Sequence, residues 1–291
     1  WASLSILDKS NPRNRFLWAL SWFPVFASIS FGQNSLLALF LLSLTYILWQ
    51  RQHTFSAGMI ASLVLFKPQL IIGIALLWLI RWRRDWRALL GLLAGGGILA
   101  ALTFHFLPSA TSNYLQLAQE FIPGLSDGDQ FPLYHLHALR GFWILLFPQN
   151  AWLAEVASLM LSALSLVIFL RFISRNDSRP ALQFSAAIAL TILITPHAMI
   201  YDWSLLLIPA ILLWQALPEL KQYWKVLFAV VWLVTLLSGP LTSLQLNILP
   251  IALQISVPVY FYLLVDILRA LNPNHPLSAH YTEQVEGNSS Q

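Results

Sequence analysis

Long apolar stretches follow one another along this chain with almost no charge inside them, and that feature leaves few folds open. They run over about 16–31, 35–49, 55–80, 88–107, 152–172, 182–217, 226–241 and 246–268. Hydrophobic residues make up 58% of the 291 and charged residues 10%, with a mean hydropathy of +0.68. A soluble domain carries about 25% charge. Here there are too few charged side chains to cover a surface that faces water. Lipid can cover the remainder, and in lipid every backbone polar group must be satisfied within its own segment. The runs do not alternate, which selects helices over barrel strands. The expected class is all-α, a polytopic transmembrane bundle of about eight or nine helices, some of them short and broken. Residues 1–271 read as one transmembrane domain, with an outer loop at about 108–150. The polar stretch 272–291, rich in Pro, Ser, Asn and Glu, reads as a disordered cytoplasmic tail.

A net charge of +4 and a pI near 9.5 could point to nucleic acid. The basic residues flank apolar runs instead of forming a patch, so they read as topology signals and nucleic acid is rejected. With no cysteine there is no disulfide, thiolate chemistry or Cys-based metal site.

The charges orient the bundle once the segment 55–80 is assigned. Lys67-Pro68-Gln69 interrupts it. Proline removes a donor and turns the preceding residue away from helix. The segment is therefore expected to be a hairpin and not a single crossing. Each arm of about 12 residues then gives about 18 Å of helix against a hydrocarbon core of about 30 Å. Such short arms need neighbours or a wet cavity to shelter them. With the hairpin, all of the 16 Lys and Arg except Lys67 and Arg140 fall on the inner side. The single crossing would scatter them.

The outer side then collects the polar groups that need explaining. Lys67 can be a snorkelling or carboxylate-paired lysine, or an anion clamp. Arg140 can be a surface arginine, or a bidentate phosphate donor. Together they could hold a lipid phosphate. His105, His135, His137 and His197 also lie on this side. His135 and His137 would share a side in an extended loop. A zinc site is weakly supported because no carboxylate or cysteine stands at ligand spacing; acid–base work or hydroxyl binding suits them better. Gln33 and Asn34 could bind sugar hydroxyls or cap a helix. Tyr201 and Asp202 sit where two helices are expected to meet, with Asp202 either joining the helix ends or acting in the site. Glu120, Asp127 and Asp129 read as surface groups.

Several of these motifs resemble glycosyltransferase family 87. They are Gly32-Gln33-Asn34-Ser35 at a helix start, Ala57-Gly58 leading to Lys67-Pro68, the turn Arg81-Trp82-Arg83-Arg84-Asp85-Trp86-Arg87, and Thr195-Pro196-His197 through Tyr201-Asp202-Trp203. The resemblance is closest over about 30–90, fair over 190–215 and loose elsewhere, including Tyr134 to Phe142. It implies a GT-C type enzyme similar to polyprenol-phosphate-mannose-dependent mannosyltransferases. The donor would be a polyprenyl-phosphate sugar and the acceptor a lipid or glycan hydroxyl, with inversion at the anomeric carbon and no cofactor. Lys67 and Arg140 would hold the donor phosphate, and Gln33, Asn34, His135, His137, His197, Tyr201 and Asp202 would line the substrate. The expected base is an aspartate in an outer loop preceding Trp1, with Asp202 a weak substitute. The expected location is a bacterial inner membrane with the site facing outward. A transporter or flippase of a lipid-linked or anionic substrate is the alternative, since broken helices serve that function too.

Overall fold

The computed structural model describes residues 3, 12–124, 133–173, 179–217 and 220–271. Lys9, Asp127, Asp129, Arg175 and the stretch 272–291 lie outside the described residues, as do the side chains of Arg13, Arg15 and Glu120. The chain is all-α, and among the described residues the sole β feature is an isolated antiparallel bridge between Leu136 and Met199.

In chain order the helices are α1 (Pro12–Leu20), α2 (Phe23–Ser30), α3 (Ser35–Gln50), α4 (Thr54–Ser62), α5 (Ile72–Ile80), α6 (Trp82–Phe106), α7 (Pro108–Gly124), α8 (Leu139–Leu146), α9 (Ala151–Ile173), α10 (Pro180–Ile194), α11 (Leu207–Ala216), α12 (Lys221–Ile248) and α13 (Ser256–Ala270). Among the described residues α6, α9 and α12 are long and apolar enough to cross a membrane. Five shorter apolar helical stretches accompany them, Ser35–Gln50, Thr54–Phe66, Pro68–Ile80, Pro180–Ile194 and Ile200–Ala216. The whole is a polytopic transmembrane bundle.

The core is organised on α10. Every residue from Leu182 to Leu193 is buried, so this helix is enclosed on all faces. The longer helices α6, α9 and α12 present exposed leucines, valines and phenylalanines outward, among them Leu93, Phe104, Leu159, Val167 and Leu233. That inside-out pattern suits a lipid surround.

The hairpin at Lys67 is formed. Helix α4 passes into a 3-10 turn at Leu63–Phe66, Lys67 stands extended (φ −133°, ψ 77°), and Pro68–Ile71 makes a second 3-10 turn before α5. Its two arms end level with each other. Helices α4 and α6 lie backbone to backbone: a Cβ on Gly58 would strike the carbonyl of Ala88, and one on Gly91 the carbonyl of Phe55. Gly95 faces Ser62 farther along, so α4 and α6 run in the same direction. The chain between them must therefore double back. At the start of α6, Trp49 Nε1 donates to Asp85 Oδ1 at 3.0 Å, and Arg81 Nη1 donates to Gln183 Oε1 at 2.8 Å. Arg179 Nη1 donates to the carbonyl of Ala270 at 2.7 Å. The ends of α3 and α13 and the starts of α6 and α10 thus share one end of the bundle, here called the basic end.

Several boundaries differ from the sequence reading. The Arg81–Arg87 cluster is largely helical, since helical turns start at Trp82, but the backbone kinks at Asp85 (φ −107°, ψ 15°) before α6 continues. The expected outer loop is largely helical. Pro108 opens α7 as a first-turn proline, and that helix runs to Gly124. The apolar run at 16–31 is interrupted at Ser21–Trp22, and Pro24 stands in the first turn of the helix that follows, α2. Helix α12 continues through Pro240 to Ile248, so the apolar run at 246–268 is split between α12 and α13.

Candidate active site at the end opposite the basic cluster

Three breaks in the helices meet at the other end of the bundle. The first is the turn before α3. Gly32 adopts φ +60°, which glycine takes without strain. It lets the Gln33 N–H reach the Ser28 carbonyl at 2.8 Å and sets Ser35 at the start of α3. The second break is Lys67. The third is the stretch between α10 and α11, where Thr195-Pro196 ends α10 and a 3-10 turn covers Ile200–Leu206. The second and third are stitched together. The Gly73 N–H donates to Thr191 Oγ1 at 2.9 Å, and Thr195 Oγ1 lies 3.4 Å from the Gln69 carbonyl.

Asp202 is the hub. It is 1% exposed, and a buried carboxylate persists only when paired and hydrogen-bonded. Its Oδ1 accepts from Ser35 Oγ at 2.6 Å and from Lys67 Nζ at 2.8 Å. Its Oδ2 accepts from the Met199 N–H at 3.3 Å, which ties the aspartate to its own 3-10 turn. The ammonium of Lys67 also lies 3.4 Å from Ser35 Oγ and 4.5 Å from the centre of the Tyr201 ring. Lys67 remains 18% exposed, so the pair opens outward through the lysine. Phe31 extends the surface, its ring 6.3 Å from Tyr201 and 5.8 Å from His135.

A strap from residues 133–138 crosses this end. The bridge between Leu136 and Met199 and the His137 N–H donated to the Ala198 carbonyl at 2.9 Å fasten it to the α10–α11 junction. His137 is its anchor. Its ring packs 5.1 Å from that of Trp203, its Nδ1 lies 2.9 Å from Ser256 Oγ, and its carbonyl accepts from Trp203 Nε1 at 3.1 Å. Complete burial, aided by nearby His135, pushes its pKa down to about 3. His135 and His137 therefore do not share a side. The turn of 3-10 helix at Leu133–His135 leaves His135 beside Phe31, and His137 points into the core. Burial also lowers the His135 pKa.

Arg140 follows on α8. Its Nε and Nη2 both engage Glu155 Oε1, at 2.8 and 2.6 Å. The pair sits close to His197, whose pKa falls through burial first and the Arg140 charge second, with Glu155 opposing. Lys67 and Arg140 thus both lie along the 195–202 junction, and for Lys67 the carboxylate-paired alternative is the one the structure shows. Each holds a carboxylate that spacing alone did not reveal.

The remaining candidates divide. Gln33 folds back on its own turn, Nε2 donating to the Phe31 carbonyl at 3.2 Å. Asn34 occupies the cap position of α3 without a side-chain cap and is exposed at the mouth. His105 is exposed at the end of α6 against Phe106. Ser35, Phe31, Glu155 and Met199 belong to the site and were not singled out. A serine opening an apolar helix is an ordinary start signal, and nothing local tells that it bonds a carboxylate 167 residues away.

The sequence model of glycosyltransferase family 87 matches residues 2–196. The match contains Ser35, Lys67, His135, His137 and Arg140 and ends at Pro196, six residues before Asp202. No curated protein and no solved structure matches the chain. The match spans well over half of an apolar helical bundle, and the chain belongs to glycosyltransferase family 87, a family of membrane glycosyltransferases.

Proposed function

We propose that this protein transfers a hexosyl unit, mannosyl by the family resemblance, from a polyprenyl-phosphate sugar to a hydroxyl of a lipid or glycan acceptor. The observation that carries the proposal is the Lys67–Asp202–Ser35 cluster, a partly exposed cation held by a buried carboxylate at the end away from the basic residues. In the transfer the acceptor oxygen attacks the anomeric carbon as its proton passes to a carboxylate base. The bond from that carbon to the phosphate oxygen breaks with inversion. Polyprenyl monophosphate leaves carrying one more negative charge than it had as a diester. The enzyme's task is to stabilise that growing charge, and a pre-placed cation does so without reorganisation.

Lys67 suits this role because Asp202 and Ser35 hold its ammonium before any donor arrives. An ammonium has three donors, so it can meet a phosphate oxygen while keeping Asp202. Asp202 has both oxygens engaged, which fits a positioning group better than a base. Arg140, held by Glu155 beside His197, supplies the second cation. Phe31, Tyr201 and His135 form an aromatic wall that suits a sugar ring. The positive-inside rule supports a basic end in the cytoplasm and this site on the outer face, and the family resemblance supports a bacterial inner membrane.

The test is transfer of labelled mannose from polyprenyl-phosphate-mannose by membranes containing the full chain, its Lys67→Ala variant or its Arg140→Ala variant. Losses of about 10²-fold or more in each variant are expected. Full activity in both discards the phosphate role. Movement of a lipid-linked sugar across vesicles without transfer would favour the transporter reading.

A further inference from the structure

The strap that carries His135 is held from a second side, by the loop between α12 and α13. Gln254 in that loop is fully buried, and its Nε2 donates to the Tyr134 carbonyl at 3.3 Å. Among the described residues this is the one hydrogen bond that reaches residues 133–135 from another element. Two residues later, Ser256 opens α13 with its Oγ 2.9 Å from His137 Nδ1. Ser238 of α12 donates to the same Oγ at 2.9 Å. Gln254 and Ser256 therefore grip the strap at Tyr134 and at His137, on either side of His135.

The loop is itself fixed. Gln245 of α12 pairs with it as a neighbouring strand would. Its Oε1 accepts from the Leu253 N–H at 2.8 Å, and its Nε2 donates to the Leu253 carbonyl at 3.2 Å. The Ala252 N–H donates to the Leu145 carbonyl at 2.9 Å, which joins the loop to the end of α8, the helix of Arg140. One loop thus braces both the strap of His135 and the helix of Arg140. None of its residues falls within the 2–196 that the family match covers.

This network is poorly suited to stability alone. His137 Nε2, Gln254 Oε1 and Thr242 Oγ1 are buried without a hydrogen-bond partner, a desolvation cost that apolar side chains would not carry. Thr242 stands one turn beyond Ser238 on the same helix. A buried polar network supplies instead a single defined arrangement. Here it sets the place of the His135 ring, 4.4 Å from that of Tyr134 and 5.8 Å from that of Phe31. We propose that Gln254 and Ser256 are positioning residues for the transfer, a role that rests on the sugar-transfer reading above. They act through the strap, which they hold so that His135 closes the aromatic wall against the donor's sugar ring. That wall meets the sugar before and during transfer alike, so loosening it weakens donor binding and leaves the chemical step unchanged.

The test pairs transfer kinetics with hydrogen exchange on the full chain in nanodiscs, with polyprenyl-phosphate-mannose as the sugar donor. Gln254→Met keeps the length and removes the amide. Ser256→Ala removes the hydroxyl, and Ser256→Thr keeps it. Gln254→Met and Ser256→Ala should each raise the KM for the sugar donor about tenfold, the effect of one lost buried hydrogen bond, with kcat within about twofold. Ser256→Thr should keep the wild-type KM. Amide exchange over 133–138 should quicken about tenfold in the first two variants while that of α10 stays unchanged, which separates a loosened strap from a damaged bundle. A wild-type KM or a wild-type strap exchange rate in either variant overturns the proposal for that residue. So does faster exchange in α10, or a fall in kcat with KM constant. A Ser256→Thr variant as impaired as Ser256→Ala overturns the part given to the hydroxyl. A wild type that transfers no sugar from this donor overturns the sugar-transfer reading and the role within it, while strap exchange still decides whether the two residues clamp the strap.

Discussion

Lys67 Nζ stands 2.8 Å from Asp202 Oδ1 across 135 residues of chain. The pair joins the hairpin break between α4 and α5 to the break between α10 and α11, so each irregular backbone segment is held by the other. Short helices that stop inside a bundle need such partners, because their free ends have no water to bond.

Breaking this pair from one side should be costly. Lys67→Ala leaves a carboxylate that is 1% exposed without its counter-ion, and such losses run to about 3–5 kcal/mol. The double variant Lys67→Met/Asp202→Leu should recover most of that stability and none of the sugar transfer. Thermal melting in detergent and the transfer assay together check it. A double variant as unstable as the single one would show that the cluster's value is not the ion pair.

The Arg140–Glu155 pair should behave differently. Glu155 is 41% exposed, and pairs open to solvent contribute about 0–1 kcal/mol. Arg140→Lys should therefore melt within a few degrees of the wild type. Transfer should nonetheless fall at least about tenfold, since a point charge replaces a planar bidentate donor. Unchanged kcat/KM would remove Arg140 from the phosphate site.

Acidification should loosen the strap. His137 has a folded-state pKa of about 3 and His197 is lowered as well. In the unfolded chain each takes up a proton near pH 6.5. Below that pH the unfolded state binds more protons, so stability is present above about pH 6.5 and lost as pH falls. Each histidine contributes at most about 1.4 kcal/mol per pH unit. Chemical denaturation between pH 7.5 and pH 5 measures the slope, and His137→Asn should flatten it.

The backbone contact between α4 and α6 should tolerate no side chain. Gly91→Val places its Cβ on the Phe55 carbonyl and should cost about 1–3 kcal/mol or more. Gly97→Ala, with open space beside it, should be neutral in the same melting experiment.

A cysteine replacing Gln52 should react with an impermeant maleimide only from the cytoplasmic side in inside-out vesicles. Labelling from intact cells would reverse the orientation and with it the outer placement of Lys67.

Much of the architecture was legible in the order of residues. The unalternating apolar runs required helices because lipid leaves the backbone no other partner. Proline and its predecessor marked the break at Lys67-Pro68, and the segregation of Lys and Arg pointed to a hairpin there. The motifs of residues 32–35, 67–68 and 81–87 carried the family resemblance. Less legible were the helical nature of 82–87 and 108–124, where polar residues suggested loops although their helix propensity is adequate.

What only the tertiary structure decided is which polar group meets which. A carboxylate partner for Lys67 was one of the open readings, but that it is Asp202, and that Arg140 holds Glu155, was not legible, and His137 looked like a partner of His135 but is buried as the anchor of a strap. Ser35 entered the site by bonding Asp202. Apolar periodicity, proline breaks and charge placement act over a few residues and can be read locally. The pairing of buried charges depends on helices that pack from distant parts of the chain, and that is settled only when the bundle closes.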